Sequence, residues 1–297
     1  MRRNLGFLLV GLGGLFVAIG LLAVVWAPGV VKKTPLDVDS HTVYEGQAAK
    51  IDTATGAFDP KPVYAIQETK ADSKASSDDH VVFVETSCLV VDTGGDKVCV
   101  DGDDPNLITA DVDIFATDRV SGVGVADDNL PAGTVVHEGL VNKWPFDVEK
   151  KTYPYWDGTI GRPVDMVFDG DEDVDGLATY RFKATVENEP AEVTDGIQGT
   201  YSNVVTVNVD PTTGAIVRGG QDQQRYLEDG TQVLDVNITW TADTIQTAVN
   251  DAKDNGKLLN LLLTILPIVG FAAGALFVLL GLLLSSRGRG RRTSSTS

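Results

Sequence analysis

Two long runs of apolar residues stand at the ends of the chain, and polar residues fill the stretch between them. The first run covers residues 5–26 without a charge, and the second covers residues 258–284 with interruptions at Asn260, Thr264 and Pro267. A helix rises about 1.5 Å per residue, so either run can cross a hydrocarbon core about 30 Å thick. The pattern predicts two membrane-spanning helices, the second with a kink at Pro267.

The first run has the basic start of a signal peptide, with Arg2 and Arg3 before it. It is longer than the apolar region of about 7–15 residues that signal peptides carry. Pro28 directly follows the small residue Ala27, which disfavours cleavage at that point. We therefore expect residues 5–26 to be an uncleaved signal anchor that follows a short cytoplasmic segment at 1–4.

Basic residues flank the outer ends of both runs. Arg2 and Arg3 precede the first, and an arginine-rich tail at 285–297 follows the second. Because short basic segments stay on the cytoplasmic side, both termini are expected in the cytoplasm. A two-pass protein of the plasma membrane follows, with residues 32–257 as an extracytoplasmic domain.

The middle segment shows the period of two that is typical of half-buried strands. In the stretch 177–186, the apolar side chains of Tyr180, Phe182 and Ala184 alternate with polar ones, and the stretches 201–209 and 233–240 alternate likewise. Residues 241–253 change to a helical period. We expect a mainly β (α+β) domain, folded as a twisted antiparallel sheet or an incomplete barrel and flanked by the two transmembrane helices.

Charge is concentrated in this middle segment. All 42 acidic residues lie there, whereas six of the 24 basic residues lie at the two ends, which leaves 18 basic residues and a net charge of −24. A domain of that charge repels nucleic acid and anionic lipid headgroups, so nucleic acid is not expected as a partner.

The two cysteines, Cys88 and Cys99, flank a Thr-Gly-Gly-Asp turn sequence at 93–96. A hairpin over 81–100 with a two-residue loop would place them opposite each other, at a separation that a disulfide can bridge. A disulfide suits an oxidising compartment outside the cytoplasm. The alternative is a pair of buried free thiols.

Motifs that carry chemistry are scarce. The three histidines do not form a metalloprotease motif, and the sequence has no nucleophile elbow and no phosphate-binding loop. His137, next to Glu138, is interpreted as structural. We therefore expect a protein that is not an enzyme and that has no catalytic residues.

An acidic stretch at 169–176 places Asp171, Asp173 and Asp175 at alternate positions before Gly176, as in the first half of a calcium-binding loop. The position of the final glutamate in such a loop is occupied here by Phe182, which belongs to the strongest strand. An acidic turn before a strand is therefore favoured over a calcium site, and no other cofactor is expected.

The second apolar run contains Gly270 and Gly274 at a Gly-x-x-x-Gly spacing. Small residues at this spacing let two helices approach closely. The first run offers Gly14, Ala18 and Gly20 for such a contact. The partner is then either the other helix of the same chain or a second copy.

The stretch 144–157 is dense in aromatic residues and prolines. It is either a rigid packed loop or the edge of an apolar groove that takes a lipid or a partner protein. The candidate residues are Trp144, Phe146, Tyr153, Tyr155 and Trp156.

Several stretches resemble the actinobacterial PorA family, namely 136–140, 144–157, 176–182 and 209–217, together with the start at 34–39. The resemblance covers almost the whole chain. It implies a membrane-anchored cell-envelope protein of high-GC Gram-positive bacteria. Some relatives are linked to polar growth and to the handling of envelope lipids such as trehalose mycolates, and the resemblance implies no catalytic residues.

The function expected first is therefore the binding or handing on of an envelope lipid or glycolipid during envelope assembly. The alternative is a scaffold that recruits envelope membrane proteins. An oligomeric, porin-like channel is favoured least, because the chain lacks the series of alternating strands of about ten residues that a membrane barrel requires. A pore lined by only two helices per chain would need an oligomer.

Overall fold

The computed structural model describes residues 2–194 and 196–286. Most of the arginine-rich tail, residues 287–297, lies outside the described residues. The chain divides into two compact units. One unit combines the two ends of the chain, up to Lys33 and from Asp254 onward, and the other is Thr34–Lys253.

The first unit is built from apolar helices. Two helical stretches, Asn4–Val25 and Ala242–Ser286, are long and apolar enough to cross a membrane. The helices are α1 (Arg2–Val25), α2 (Pro28–Val31), α3 (Ala242–Asn260) and α4 (Leu266–Ser286), with a π-helical turn at Leu261–Ile265 between the last two. Most of α3 belongs to the second unit, and only its last residues belong to the first.

The π-helical turn explains how the second long helix accommodates Pro267. Proline has no backbone N–H, and inside a helix its ring collides with the carbonyl four residues earlier, which here belongs to Leu263. The wider turn at Leu261–Ile265 lies around that carbonyl, and such single wide turns relieve crowding without ending a helix. The helix predicted at 241–253 and the span predicted from 258 are thus parts of one helical stretch.

The second unit is mainly β and contains one antiparallel sheet of eleven strands, curled into a half-barrel. The strands are β1 (Asp39–Lys50), β2 (Lys61–Ala71), β3 (His80–Val91), β4 (Leu107–Asp118), β5 (Gly124–Val125), β6 (Tyr153–Asp157), β7 (Arg162–Val174), β8 (Leu177–Thr194), β9 (Ile197–Val209), β10 (Ile216–Leu227) and β11 (Gln232–Trp240). The fold class expected from the sequence is confirmed.

The sheet consists of two meanders joined at its centre. Strands β1 to β5 pair in sequence order, strands β6 to β11 do the same, and β1 pairs with β11. The last paired residues of β11 lie beside the middle of β1, with Trp240 opposite Tyr44. The chain therefore enters and leaves the sheet at the same end.

The curl brings the two edge strands near each other, and a short segment links them. The amide of Gly124, in β5, donates to the carbonyl of Gly139 at 2.8 Å. The amide of Leu140 donates to the carbonyl of Pro154, in β6, at 2.8 Å, and the amide of Trp156 donates back to Leu140 at 2.8 Å. We call this junction the seam: the edges β5 and β6 with residues 139–140 between them.

The predicted alternation along the last strand is present. Leu234, Val236 and Ile238 are buried on the inner, concave face of the sheet, in one cluster with Ala48 and Val63. The outer face is covered elsewhere by α3, whose buried residues Val249 and Ala252 pack on Val174 and Val217. Both faces of the sheet thus contribute a hydrophobic core.

The hairpin predicted over residues 81–100 is wrong. Strand β3 ends at Val91, and its pairing partner is β4, which begins only at Leu107. The run from Lys97 to Val100 forms no strand, because it is too short to compete with the twelve-residue strand that follows. Residues 92–106 form a loop instead.

Candidate functional site

The two apolar helices α1 and α4 pack against each other along glycines. A Cβ atom on Gly13 would lie 2.8 Å from the carbonyl oxygen of Gly274, and a Cβ on Gly6 would lie 2.8 Å from that of Gly281. A Cβ on Gly270 would lie 3.1 Å from the Cα of Gly20. The helix backbones therefore touch where side chains would otherwise separate them, as small residues allow in membranes.

This contact decides between the two partners that the sequence left open for Gly270 and Gly274: both face α1 of the same chain. On the α1 side, Gly20 faces the partner helix as expected, but within the described part of the chain a Cβ on Gly14 would meet nothing within 4 Å. The missed residues, Gly6 and Gly13, share with Gly20 a seven-residue spacing. In a left-handed helix pair, seven residues make two turns, so residues at this spacing face the same partner. This repeat in the sequence could have identified Gly6 and Gly13 as contact residues.

The opposite side of α1 carries a shallow groove. It is lined by Asn4, Phe7, Leu8, Gly11, Leu12 and Leu15. A Cβ on Gly11 would meet no atom of the described residues within 4 Å, so this glycine leaves a notch on the surface. At about 100° per residue, Gly11 points roughly 160° away from Gly13 around the helix. The groove therefore faces away from α4.

The aromatic stretch is a packed core and not the edge of a groove, because Trp144 is fully buried. The Trp144 ring lies 5.2 Å from the ring of Phe182 and 5.6 Å from that of Tyr155, and Tyr153 lies 5.8 Å from Phe182. The backbone amide of Trp144 donates to the carbonyl of Gly214 at 2.9 Å. Ring packing of this kind fixes residues 144–155 against the inner face of the sheet.

The other two aromatic candidates lie apart from this cluster. The ring of Phe146 is covered by the ammonium of Lys143, 3.9 Å from the ring centroid. Burial lowers the pKa of Lys143 to about 8. Trp156 stacks on His137 at 4.5 Å. The five candidates therefore do not form one surface.

The three aspartates of the acidic stretch do not converge. Asp171 and Asp173 are exposed residues of strand β7, and Asp175 lies in the two-residue turn that joins β7 to β8. Asp171 pairs with Lys150 at 2.7 Å, and Asp173 accepts the amide of Gly176 at 2.8 Å. No group of three or more metal-ligating side chains occurs among the described residues. An extended strand separates alternate carboxylates, where a calcium loop would fold them around one ion.

A disulfide joins Cys88 and Cys99, although not within the hairpin that was expected. The two Cα atoms are 5.8 Å apart. Cys88 lies in β3, and Cys99 lies in the loop at 92–106, where the hydroxyl of Tyr64 also donates to the carbonyl of Val98 at 2.7 Å. The bond therefore ties this loop to the outer face of the sheet, over a cluster formed by Tyr64, Ile66 and Val90.

A cluster that the sequence did not reveal lies at the seam, around His137. The imidazole is buried and lies between the ring of Phe115, in β4, and that of Trp156, in β6. Its Nε2 lies 2.7 Å from Asp113 Oδ2, and its Nδ1 lies 3.0 Å from the carbonyl oxygen of Val135. The sequence alone does not predict this site, because Asp113 and His137 are 24 residues apart along the chain and share no local motif.

The electrostatics of this cluster favour a charged imidazole. Burial lowers the pKa of His137, but the hydrogen bonds to Asp113 and Val135 outweigh it, so the pKa of His137 is raised. Burial has the opposite effect on the neighbouring Glu85 carboxyl and raises its pKa, although the hydroxyl of Thr69 donates a hydrogen bond to it at 2.7 Å. Two acidic groups and one histidine thus share the inner face at the seam.

Comparison with known proteins identifies the relatives of the chain. The sequence profile of a family described as Porin PorA matches residues 5–283. A protein named Porin PorA from Corynebacterium amycolatum is 25% identical over 313 aligned residues, which cover 80% of this chain and 81% of that protein. The resemblance seen in the sequence is confirmed.

These relatives correct the expected function. The binding or handing on of envelope lipid, favoured from the sequence, is contradicted because both the family and the relative are described as porins. The aromatic stretch that motivated the lipid hypothesis is buried core. The expectation that gave least weight to a channel was therefore wrong.

We expect Trp144→Ala to destabilise the sheet by about 3–5 kcal/mol, the usual cost of removing a fully buried aromatic side chain. Phe146→Ala is the matched control and should cost clearly less, because that ring is only half-buried. Denaturant unfolding of the full-length protein in detergent measures both. Equal losses for the two variants would argue against a Trp144-centred core.

The helix contact predicts a cross-link within one chain. In Phe16→Cys/Phe277→Cys the two new thiols should form a disulfide under mild oxidation, because the two side chains that they replace stack across α1 and α4 with their ring centroids 5.6 Å apart. The control is Leu15→Cys/Leu276→Cys, at two exposed positions. Mass spectrometry of the monomer band should find the first cross-link and not the second. The reverse pattern would contradict the observed packing.

Proposed function

The chain belongs to the porin PorA family, and on this premise we propose that it forms a channel in a cell-envelope membrane, with the pore enclosed by helices from several copies. The single observation that carries the proposal is the family match over residues 5–283. A channel needs no catalytic group, which agrees with the expectation that the protein is not an enzyme.

The outer face of the sheet argues against the sheet itself crossing the membrane. A membrane barrel presents an apolar band to lipid. On the outer face of β7 to β10, Glu172 instead pairs with Arg181 and Arg218, and Asn208 donates to the same carboxylate at 3.2 Å. A charged network of this kind suits water, so the proposal assigns the membrane crossing to the helices.

Several copies are needed because one pair of helices encloses nothing. The glycine contact brings α1 and α4 together at backbone distance, which leaves no space between them. The groove around Gly11 faces the other way and offers a notch for a helix of a second copy. Small residues mark such contacts in membranes, where lipid tails give apolar surfaces little reason to associate.

The proposal adopts the two-pass topology that the sequence predicts, with both termini in the cytoplasm. Arginines at both ends favour cytoplasmic termini, and the Cys88–Cys99 disulfide favours an extracytoplasmic sheet domain.

The test is conductance. Full-length protein, purified in detergent and added to planar bilayers, should give discrete current steps. Gly11→Leu fills the groove and should lower the frequency of steps at least about tenfold, which corresponds to about 1.4 kcal/mol of lost association. Gly14→Leu adds the same side chain outside the groove and should leave the frequency unchanged.

Two results would count against the proposal. If the wild-type protein gives no current over a range of voltages and protein concentrations, the proposed channel is wrong. If Gly11→Leu and Gly14→Leu change the frequency of current steps equally, the groove is not the contact between copies. Unchanged denaturant unfolding of the sheet domain in each variant shows that the loss is not one of folding.

A further inference from the structure

We propose that residues 126–141, which we call the latch, hold the two edges of the sheet together while His137 is protonated, and loosen when His137 loses its proton. The inference concerns the seam and does not depend on channel activity. It rests on the geometry of His137 and on the charges around it.

The contacts of His137 require a protonated ring. Its Nε2 lies 2.7 Å from a carboxylate oxygen of Asp113, and its Nδ1 lies 3.0 Å from the carbonyl oxygen of Val135. A carbonyl oxygen and an ionised carboxylate can only accept, so both ring nitrogens must donate. Only the imidazolium ion has a proton on each nitrogen. A neutral His137 gives up one of the two bonds.

The position of His137 turns this local change into a change at the seam. The ring is stacked between Phe115 of β4 at 5.2 Å and Trp156 of β6 at 4.5 Å. It therefore contacts both halves of the sheet across the gap that residues 139–140 close. A cation between aromatic faces is attracted by both rings, and this attraction also disappears on deprotonation.

A second histidine holds the other end of the latch. Nδ1 of His80, the first residue of β3, lies 3.2 Å from Asp127 Oδ2. The side-chain Nδ2 of Asn129 donates to the backbone carbonyl of Ala75 at 2.9 Å nearby. Each end of the latch is thus paired through one histidine and one aspartate.

The groups around His137 set the direction of the change. Asp113 faces it from β4 and Glu85 from β3, and Tyr44 of β1 and Tyr155 of β6 lie near Glu85. Burial keeps both tyrosines neutral, since it raises the pKa of Tyr44 to about 12 and raises that of Tyr155 as well. Once His137 is neutral, the two carboxylates of Asp113 and Glu85 repel each other without a cation between them.

The pH window follows from the raised pKa of His137. The stabilisation is complete below the ordinary histidine pKa of about 6.5 and is lost as the pH rises through the higher value in the folded protein. The latch is therefore closed in mildly acidic conditions and loosened in mildly alkaline ones.

Hydrogen exchange of the full-length protein in detergent, read by mass spectrometry at pH 5.5 and pH 8.5, tests the proposal. After correction for the intrinsic pH dependence, protection of peptides that cover 126–141 should fall at least about tenfold at the higher pH, an opening that becomes easier by about 1.4 kcal/mol. Peptides from β10 and β11 should keep their protection.

Three variants separate the latch from general stability. His137→Gln should show low protection at both pH values, because it removes the charge. His41→Gln is the matched control, since His41 is exposed and pairs with Glu68 on β2, and it should behave as wild type. Glu85→Gln removes this repulsion, so protection should fall less between pH 5.5 and pH 8.5 than in the wild type, which provides a test even if His137→Gln does not fold.

The proposal is overturned if wild-type protection at 126–141 does not change with pH, or changes equally in β10 and β11. It is also overturned if His137→Gln retains the wild-type pH dependence, or if Glu85→Gln loses as much protection at pH 8.5 as the wild type. Loss of the dependence in His41→Gln would assign it to a different histidine and contradict the latch.

Discussion

The pairing of β1 with β11 is the interaction on which the rest of the sheet domain depends. Seven residue pairs, from Tyr44 opposite Trp240 to Lys50 opposite Leu234, join the first strand to the last. The rings of Tyr44 and Trp240 meet edge to face at 6.2 Å. Because the first and last strands pair at the centre of the sheet, the chain enters and leaves the sheet at the same end.

The same pairing creates the seam. With β1 and β11 at the centre, the edges of the sheet are β5 and β6, the strands that flank the long connection in the middle of the chain. An open edge exposes unpaired backbone groups and invites association with other chains. Here the connection itself returns to bridge the two edges at Leu140, so one segment closes the sheet and His137 supports it.

Alternation and length were sufficient to predict much of the architecture. The apolar runs became α1 and α4, and the alternating stretches became β8, β9 and β11. The failures have a common physical cause, which is that partners distant in sequence decided the outcome. The hairpin expected at 81–100 does not form, because β3 pairs with β4 instead. Trp144 became core because Gly214, 70 residues later, offers its carbonyl, and a Cβ at Gly214 would lie 2.1 Å from the Trp144 oxygen. His137 needed Asp113 and Trp156.

The central claim is that several copies surround one pore, with the groove at Gly11 as the contact between them. Counting copies in active channels tests it most directly. Full-length protein carrying one fluorophore per chain would be reconstituted into bilayers, and photobleaching steps would be counted in spots that conduct. Several bleaching steps are expected in each wild-type spot that conducts. In Gly11→Leu, most spots should bleach in a single step and carry no current. Conduction from spots that bleach in one step would contradict it.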